Sequence, residues 1–142
     1  MKILVCITHV PDTTSKIQFT ANNTKFDTTG VQFIIGPYDD YALARAVELR
    51  DQTGGTLTAL NVGEAETEPT LRKALAIGAD DAIRVNSFPK DSFFVATQIA
   101  EYAKSNEFDI ILCGRESIDY NGSQVAAMIG ELLDIPSISI IK

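Results

Sequence analysis

Short apolar runs alternate with helical patterns along the chain. Most of these runs lack polar/apolar alternation, which is typical of strands covered on both faces. The runs span residues 3–7, 56–62, 82–85, 109–113 and 138–141. They predict five buried strands.

The segments between the runs repeat apolar residues at helical spacing, which places each set on one stripe of a helix. The sets are Leu71, Ala74 and Leu75; Val95, Ile99, Tyr102 and Ala103; and Val125, Met128, Ile129, Leu132 and Leu133. A further helix is predicted to begin near Asp39 or Asp40, just after Pro37, and Gly78 suits the end of another. Alternating strands and helices imply right-handed crossovers, and so an α/β fold with an open, mainly parallel, doubly wound five-stranded sheet flanked by helices.

One segment interrupts this rhythm. Residues 8–37 are too long for an ordinary loop between a strand and a helix. Residues 16–20 and 24–27 flank Asn22-Asn23 as the strands of a hairpin do, and residues 31–35 form a further extended piece. We therefore expect a β-hairpin arm over residues 11–35.

Composition narrows the function classes. A chain of 142 residues, 45% hydrophobic, suits one domain with one core. The chain has 19 acidic and 12 basic residues, and the basic residues do not cluster in the sequence. Nucleic acid is therefore not an expected partner. No apolar run approaches the ~20 residues that cross a bilayer and no signal peptide is evident, so we expect a cytoplasmic protein without membrane insertion.

Cys6 and Cys113 fit buried thiols in a reducing compartment, and they become neighbours if the first and fourth strands pair.

The carboxyl ends of the predicted strands are the expected place for a ligand, because open parallel sheets bind ligands there. These ends carry Cys6, Val62-Gly63 and Cys113-Gly114-Arg115. Helices starting near Asp39 and Gly122 would aim unpaired N–H groups at the same rim, which suits a phosphate. Asp119 would accept a ribose hydroxyl, Arg115 would neutralise a phosphate, and residues 121–124 would supply donors. The alternative is that Asn121 or Ser123 simply caps a helix and Asp119 is solvated.

Other chemistry finds little support in the sequence. Cys6 and His9 lack the second ligand pair that a structural zinc site needs. His9 is the one histidine and has no convincing Ser or Cys partner, while the acidic residues around Glu66 suit a helix start. We therefore expect neither a metal site nor a catalytic acid, base or nucleophile.

Four motifs in order along nearly the whole chain resemble the electron transfer flavoprotein β subunit. They are Val5-Cys6-Ile7-Thr8-His9-Val10-Pro11-Asp12-Thr13, Gly36-Pro37-Tyr38-Asp39-Asp40-Tyr41-Ala42, Lys73-Ala74-Leu75-Ala76-Ile77-Gly78-Ala79-Asp80 and Gly114-Arg115-Glu116-Ser117-Ile118-Asp119, which continues to Gln124-Val125. The resemblance implies a nucleotide-binding α/β domain that pairs with an α subunit. The heterodimer would carry FAD, take electrons from flavin-dependent dehydrogenases such as acyl-CoA dehydrogenases and pass them to a quinone-linked oxidoreductase.

The same resemblance implies that this subunit binds AMP, or a second FAD in the electron-bifurcating types. The implied nucleotide-binding residues are Cys6, Gly36, Pro37, Tyr38, Asp39, Val62, Gly63, Gly114, Arg115, Asp119, Asn121, Gly122, Ser123, Gln124 and Val125. The family usually has Asn in place of Gly36 and Lys in place of Thr8, so backbone N–H groups must hold more of the phosphate here. Tyr120-Asn121 replaces an acidic run, which leaves AMP and FAD as alternatives.

Family β subunits continue well past residue 142, so we expect residues 1–142 to form a nucleotide-binding core that does not shuttle electrons on its own.

Two other functional hypotheses remain open at this point. A stand-alone ATP- or AMP-binding sensor, like the universal stress proteins, has the same general architecture. An adenine-nucleotide hydrolase or ligase would need a metal site or a nucleophile that the sequence does not offer.

Overall fold

Residues 1–141 form eight strands, four α-helices and one 3₁₀ turn at Ala65–Thr67. A computed structural model describes residues 1–141. The strands are β1 (Lys2–Cys6), β2 (His9–Pro11), β3 (Phe19–Thr20), β4 (Lys25–Phe26), β5 (Phe33–Ile35), β6 (Thr56–Gly63), β7 (Asp81–Asn86) and β8 (Ile110–Cys113). The helices are α1 (Pro37–Thr53), α2 (Glu68–Ile77), α3 (Ser92–Lys104) and α4 (Val125–Leu133).

Four of the strands form a parallel sheet in the order β7-β6-β1-β8. Helices α1 and α2 pack on one face of this sheet, where Leu43 and Leu71 meet Ile3 and Val5. Helices α3 and α4 cover the other face. Strand order therefore reverses between β1 and β8, and the expected doubly wound α/β fold is confirmed. No helix among residues 1–141 is long and apolar enough to cross a membrane.

The arm after β1 consists of two small antiparallel ribbons. Strand β2 pairs with β5, so that His9 lies opposite Ile35. Strand β3 pairs with β4 across a turn in which Asn22 and Asn23 both adopt left-handed backbone conformations, which asparagine tolerates better than most residues. The predicted hairpin is confirmed.

The predicted fifth strand is wrong. Helix α4 ends at Leu133, Asp134 is left-handed, and the N–H of Ile135 donates to the carbonyl of Gly130 at 3.0 Å. The chain therefore turns back against the end of α4, and residues 138–141 pair with no strand of residues 1–141. A run of β-branched residues favours an extended chain, but a strand also needs a neighbour that supplies its hydrogen bonds.

One inward-facing assignment on α2 also fails. Leu71 and Ala74 are buried as the spacing predicts, but Leu75 is 42% exposed. The buried residues of this helix are Thr70, Leu71 and Ala74, so its inward stripe does not extend to Leu75. Gly78 ends the helix as expected, and its N–H donates to the carbonyl of Ala74.

The buried stripe of α1 makes a direct test of the core. Leu43 is 0% exposed, so Leu43→Ala should lower the free energy of unfolding by about 2–5 kcal/mol through lost burial and the cavity that remains. Tyr41, on the same helix and 76% exposed, is the matched control, and Tyr41→Ala should change stability by less than ~0.5 kcal/mol. Urea unfolding followed by circular dichroism measures both. Equal losses in the two variants would contradict the described packing of α1.

Candidate functional site

The carboxylate of Asp39 joins three segments at the point where strand order reverses. Asp39 lies in the first turn of α1 and is 4% exposed. Its Oδ2 accepts hydrogen bonds from the backbone N–H of Thr8, at 2.9 Å, and from the Thr8 hydroxyl. Its Oδ1 accepts from the N–H of Gly114 at 3.0 Å. One side chain thus holds the chain that leaves β1, the chain that leaves β8 and the start of α1.

The local sequence makes this close approach possible. Pro37 begins α1 with a residue that has no N–H to satisfy, and the carbonyl of Gly36 accepts from the N–H groups of Asp39 and Asp40 at 2.8 and 2.9 Å. Gly114 must lack a Cβ, because that atom would overlap Asp39 Oδ1 and lie 2.8 Å from the Asp39 nitrogen. Glycine is therefore fixed at position 114 by the packing of α1 against the end of β8.

Burial dominates the electrostatics of this carboxylate. Desolvation raises the pKa of Asp39, while the hydrogen bonds from Thr8 and Gly114 act in the opposite direction. No lysine or arginine among the described residues forms an ion pair with it. The charge is therefore stabilised by neutral donors alone, which makes each donor important.

The loop that follows Gly114 closes on itself above this point. The Ser123 hydroxyl donates to the carbonyl of Arg115 at 3.2 Å, and the N–H of Asn121 donates to the carbonyl of Ser117 at 2.9 Å. The Arg115 guanidinium lies 5.9 Å from the centre of the Tyr38 ring. Asn121 and Ser123 have φ angles of 51° and 52°. Asparagine tolerates this left-handed conformation, but it is unfavourable for serine, so the strain of this loop lies at Ser123.

The start of α4 leaves backbone donors without protein partners. Gln124 is the N-cap residue, and its side chain makes no capping hydrogen bond. Within the described chain, the first-turn N–H groups of Val125, Ala126 and Ala127 have no hydrogen-bond acceptor, as expected of an uncapped helix start. The simple capping interpretation of Asn121 or Ser123 is therefore wrong, and the start of α4 is open to an anion.

The predicted nucleotide-binding residues fall into three groups. The first lies together around Asp39, at the ends of β1 and β8 and the start of α1: Cys6, Gly36, Pro37, Tyr38, Asp39, Gly114 and Arg115. The second forms the loop and the start of α4, exposed up to residue 124: Asp119, Asn121, Gly122, Ser123, Gln124 and Val125. The third lies at the end of β6: Val62 and Gly63.

The third group has packing roles. Val62 belongs to the apolar cluster under α3 and α4, with Cys6. A Cβ on Gly63 would lie 2.5 Å from the Thr67 side chain and 2.7 Å from Asn61 Oδ1, so this glycine is required by the turn that precedes α2. Gly63 and Gly114, the two glycines at strand ends that suggested close approach by a ligand, are each approached by protein atoms instead.

The side-chain contacts of Thr8 and Asn61 were not predicted from the sequence. Thr8 supplies two of the three donors to Asp39, and a hydroxyl at a strand end gives no signal of its own. Asn61 is 3% exposed; its Nδ2 donates to the carbonyl of Ile7 at 2.9 Å, and its Oδ1 has no partner among the described residues. A polar residue in the middle of the apolar run 56–62 was the available clue.

Two cavities lie at the base of the arm, and neither is lined by a predicted nucleotide-binding residue. The first, about 430 Å³ and open to solvent, is lined by residues of the segment 12–32. The second, about 550 Å³, lies between the arm and α2 beside His9 and Glu66. There the His9 ring stacks on Phe33 with centroids 4.4 Å apart, and His9 Nδ1 lies 2.8 Å from the Thr70 hydroxyl. These contacts fasten the arm to α2.

Comparison with known proteins decides the family. Residues 23–142 match the model of the electron transfer flavoprotein domain. The chain belongs to the electron transfer flavoprotein family. It is 39% identical over 145 residues to the electron transfer flavoprotein subunit beta of Bacillus subtilis (strain 168), covering 99% of this chain and 56% of that protein. The expected resemblance to the β subunit is confirmed.

Two other relatives of this chain have different names. The acryloyl-CoA reductase electron transfer subunit gamma of Anaerotignum propionicum is 37% identical, over 98% of this chain and 54% of that protein. Protein FixA of Sinorhizobium fredii (strain NBRC 101917 / NGR234) is also 37% identical, over 95% of this chain and 50% of that protein. The chain spans about half the length of the curated relatives it matches.

The role of Asp39 predicts a large effect from a small change. Asp39→Asn replaces one acceptor oxygen by an NH₂ group that must face either the Thr8 or the Gly114 N–H, so we expect a loss of ~1–3 kcal/mol in the free energy of unfolding. Asp40→Asn is the matched control, since the Oδ1 of Asp40 has no partner among residues 1–141. Urea titration measures both variants. A loss for Asp39→Asn no greater than for Asp40→Asn would contradict the described hydrogen bonds.

His9 predicts a pH dependence of stability. Burial lowers the pKa of His9, against the opposing charge of Glu66. Between the lowered pKa of His9 in the folded chain and its pKa of ~6.5 in the unfolded chain, the unfolded chain binds more protons than the folded chain. The contribution of His9 to stability is therefore complete above this pH window and is lost as the pH falls through it. Unfolding measured at about pH 7.5 and about pH 5.5 should show a smaller drop in stability for His9→Asn than for the native chain. An equal drop in the two proteins would mean that groups other than His9 cause the pH dependence of stability.

Proposed function

We propose that this chain is the nucleotide-binding part of an electron transfer flavoprotein β subunit, and that it holds an adenine nucleotide between the ends of β1 and β8. The observation that carries the proposal is the start of α4. Its first-turn N–H groups have no acceptor in the described chain, and they follow a strained loop that leaves β8 at the point where strand order reverses. Such a helix start suits a phosphate.

The residues present fit an adenosine phosphate. The N–H groups of Val125, Ala126 and Ala127 would hold phosphate oxygens, and the half-exposed Arg115 guanidinium would contribute positive charge to the same group. The exposed carboxylate of Asp119 would accept a ribose hydroxyl. AMP and FAD share this adenosine phosphate, so the same residues would serve either nucleotide.

The start of α1 is a poorer phosphate site than the start of α4. Its N–H groups at Asp39 and Asp40 are already donated to the carbonyl of Gly36. The carboxylate of Asp39 lies beside them and would repel a second anion. The nucleotide phosphate is therefore assigned to α4, and Asp39 is assigned to holding the two strand ends together rather than to contacting the nucleotide.

The electron-transfer role is proposed from the relatives. They are named as electron transfer subunits, one of them of an acryloyl-CoA reductase. We infer that this chain works in the cytoplasm with an α subunit, and that the pair carries electrons from flavin-dependent dehydrogenases, such as acyl-CoA dehydrogenases, to a quinone-linked oxidoreductase. Bound FAD would supply the electron chemistry. The protein would place and surround the nucleotides and perform no bond chemistry of its own.

The nucleotide content of the purified protein tests this proposal. The natural full-length subunit is expressed with the product of the neighbouring gene, the complex is denatured, and released nucleotides are separated by chromatography and identified by absorbance. One FAD and one AMP per heterodimer are expected for a structural AMP, and two FAD for a bifurcating type. ATP or AMP alone, from a subunit that purifies without a partner, would overturn the proposal in favour of a nucleotide sensor.

Arg115 gives a residue-level prediction. Arg115→Gln should weaken AMP binding by roughly tenfold, which corresponds to ~1.4 kcal/mol, because a partly exposed positive charge near the phosphate is lost. Arg45→Gln is the matched control, since Arg45 pairs with Glu48 at 2.8 Å on the exposed side of α1 and makes the same change in net charge. Isothermal titration of nucleotide-free protein with AMP measures both. Equal affinities of the two variants would remove Arg115 from the site.

A further inference from the structure

The two cysteines face each other across the centre of the sheet. Cys6 is the last residue of β1 and Cys113 the last residue of β8, and the register pairs them directly. Both thiols are free, and both side chains lie in the apolar cluster between the sheet and helices α3 and α4. The sequence contains no other cysteine, so each thiol has one possible partner within the chain.

The sheet geometry brings the pair close to bonding distance. Neighbouring strands lie ~4.7–4.9 Å apart, and disulfide-bonded cysteines have Cα atoms ~4.4–6.8 Å apart. Paired residues on parallel strands direct their side chains to the same face, so both sulfur atoms enter the same space. Their Cβ atoms must still approach to ~3.5–4.5 Å, which draws the ends of β1 and β8 together. A bond made at the cost of such movement is readily reduced.

The two cysteines differ in accessibility. Cys6 is 7% exposed, whereas Cys113 is half-buried. The neighbouring Cys113 side chain, followed by burial, raises the pKa of Cys6 well above its ordinary value, so the Cys6 thiolate is scarce and its attack is the slower of the two steps. Cys113 is therefore the thiol that meets an oxidant first, and Cys6 is the thiol that resolves the product.

We propose that Cys6 and Cys113 are an oxidisable pair whose disulfide weakens nucleotide binding at the adjacent site. The oxidant is a low-molecular-weight disulfide. The Cys113 sulfur attacks it, forming a mixed disulfide and releasing one thiol. The Cys6 sulfur then attacks the Cys113 sulfur, forming the Cys6–Cys113 bond and releasing the second thiol. The protein loses two electrons and two protons, and the oxidant becomes two thiols.

The coupling to the nucleotide site follows from the hydrogen bonds of Asp39. Cys113 directly precedes Gly114, and Cys6 lies two residues before Thr8. The N–H groups of Gly114 and Thr8 donate to the two oxygens of the same carboxylate. Drawing the strand ends together therefore displaces both donors and the loop that follows Gly114. This coupling rests on the proposed nucleotide site, whereas formation of the disulfide does not.

The test treats the full chain, in complex with any partner it purifies with, with oxidised glutathione. Mass spectrometry under non-reducing conditions should show the loss of two hydrogens and a cross-linked peptide pair containing Cys6 and Cys113. AMP titration should show affinity at least tenfold lower after oxidation, restored by dithiothreitol. Cys113→Ser, or Cys113→Ala if the serine variant is poorly folded, should keep the same AMP affinity before and after the oxidant.

The outcomes separate the possible failures. A glutathione adduct that stays on Cys113, or two unmodified thiols, would overturn the pair as a redox site. A disulfide with unchanged AMP affinity would overturn the coupling. Absence of AMP binding by the reduced native chain would instead contradict the proposed function, and the peptide map would still decide whether the disulfide forms.

Discussion

The organisation of this site depends on a buried carboxylate that has only neutral donors. In a doubly wound sheet, the chains that leave the two strands at the switch point turn to opposite faces, so a crevice opens between them. Here the chain after β1 leads to the arm and α1, and the chain after β8 leads to the loop and α4. Asp39 spans the base of that crevice and accepts from both chains. The crevice therefore has a fixed floor beneath a strained loop.

The two helix starts at this rim are unequal as a result. Helix α1 uses its own first turn to present Asp39, and its early N–H groups are satisfied by Gly36. Helix α4 has neither a capping side chain nor an internal acid in its first turn. A bound anion would be repelled at one end and attracted at the other. A nucleotide bound as proposed would therefore have its phosphate toward α4.

The sequence predicted what depends on periodicity and on turn chemistry. The apolar runs located β1, β6, β7 and β8, and Gly78 marked the end of α2. Helix α1 begins at Pro37, two residues before the predicted start near Asp39. The sequence prediction failed where a partner decides the outcome. Residues 138–141 have the composition of a strand, but no strand of the described chain pairs with them. Leu75 has helical spacing but lies outside the contact line of α2. Such properties depend on neighbours in space, which a local pattern does not contain.

The candidate site shows the same limit on a finer scale. Motif resemblance pointed to the rim around Asp39 and the loop before α4, but it could not distinguish residues that would touch a ligand from residues that hold the rim in place. Asp39 holds the rim, because both its oxygens accept hydrogen bonds from protein donors. Gly63 packs against Thr67. Deciding between these roles requires the hydrogen-bond partners of each atom.

The close contact at Gly36 also constrains how this sequence can change over time. A Cβ at position 36 would overlap the Thr8 hydroxyl, and it would lie 2.5 Å from Asp39 Oδ2. A larger residue at position 36, such as asparagine, therefore cannot enter while Thr8 keeps its bond to Asp39. We therefore expect positions 8 and 36 to vary together. A lineage that replaces Gly36 must also replace Thr8, or it passes through an intermediate in which the bond between Thr8 and Asp39 is weakened.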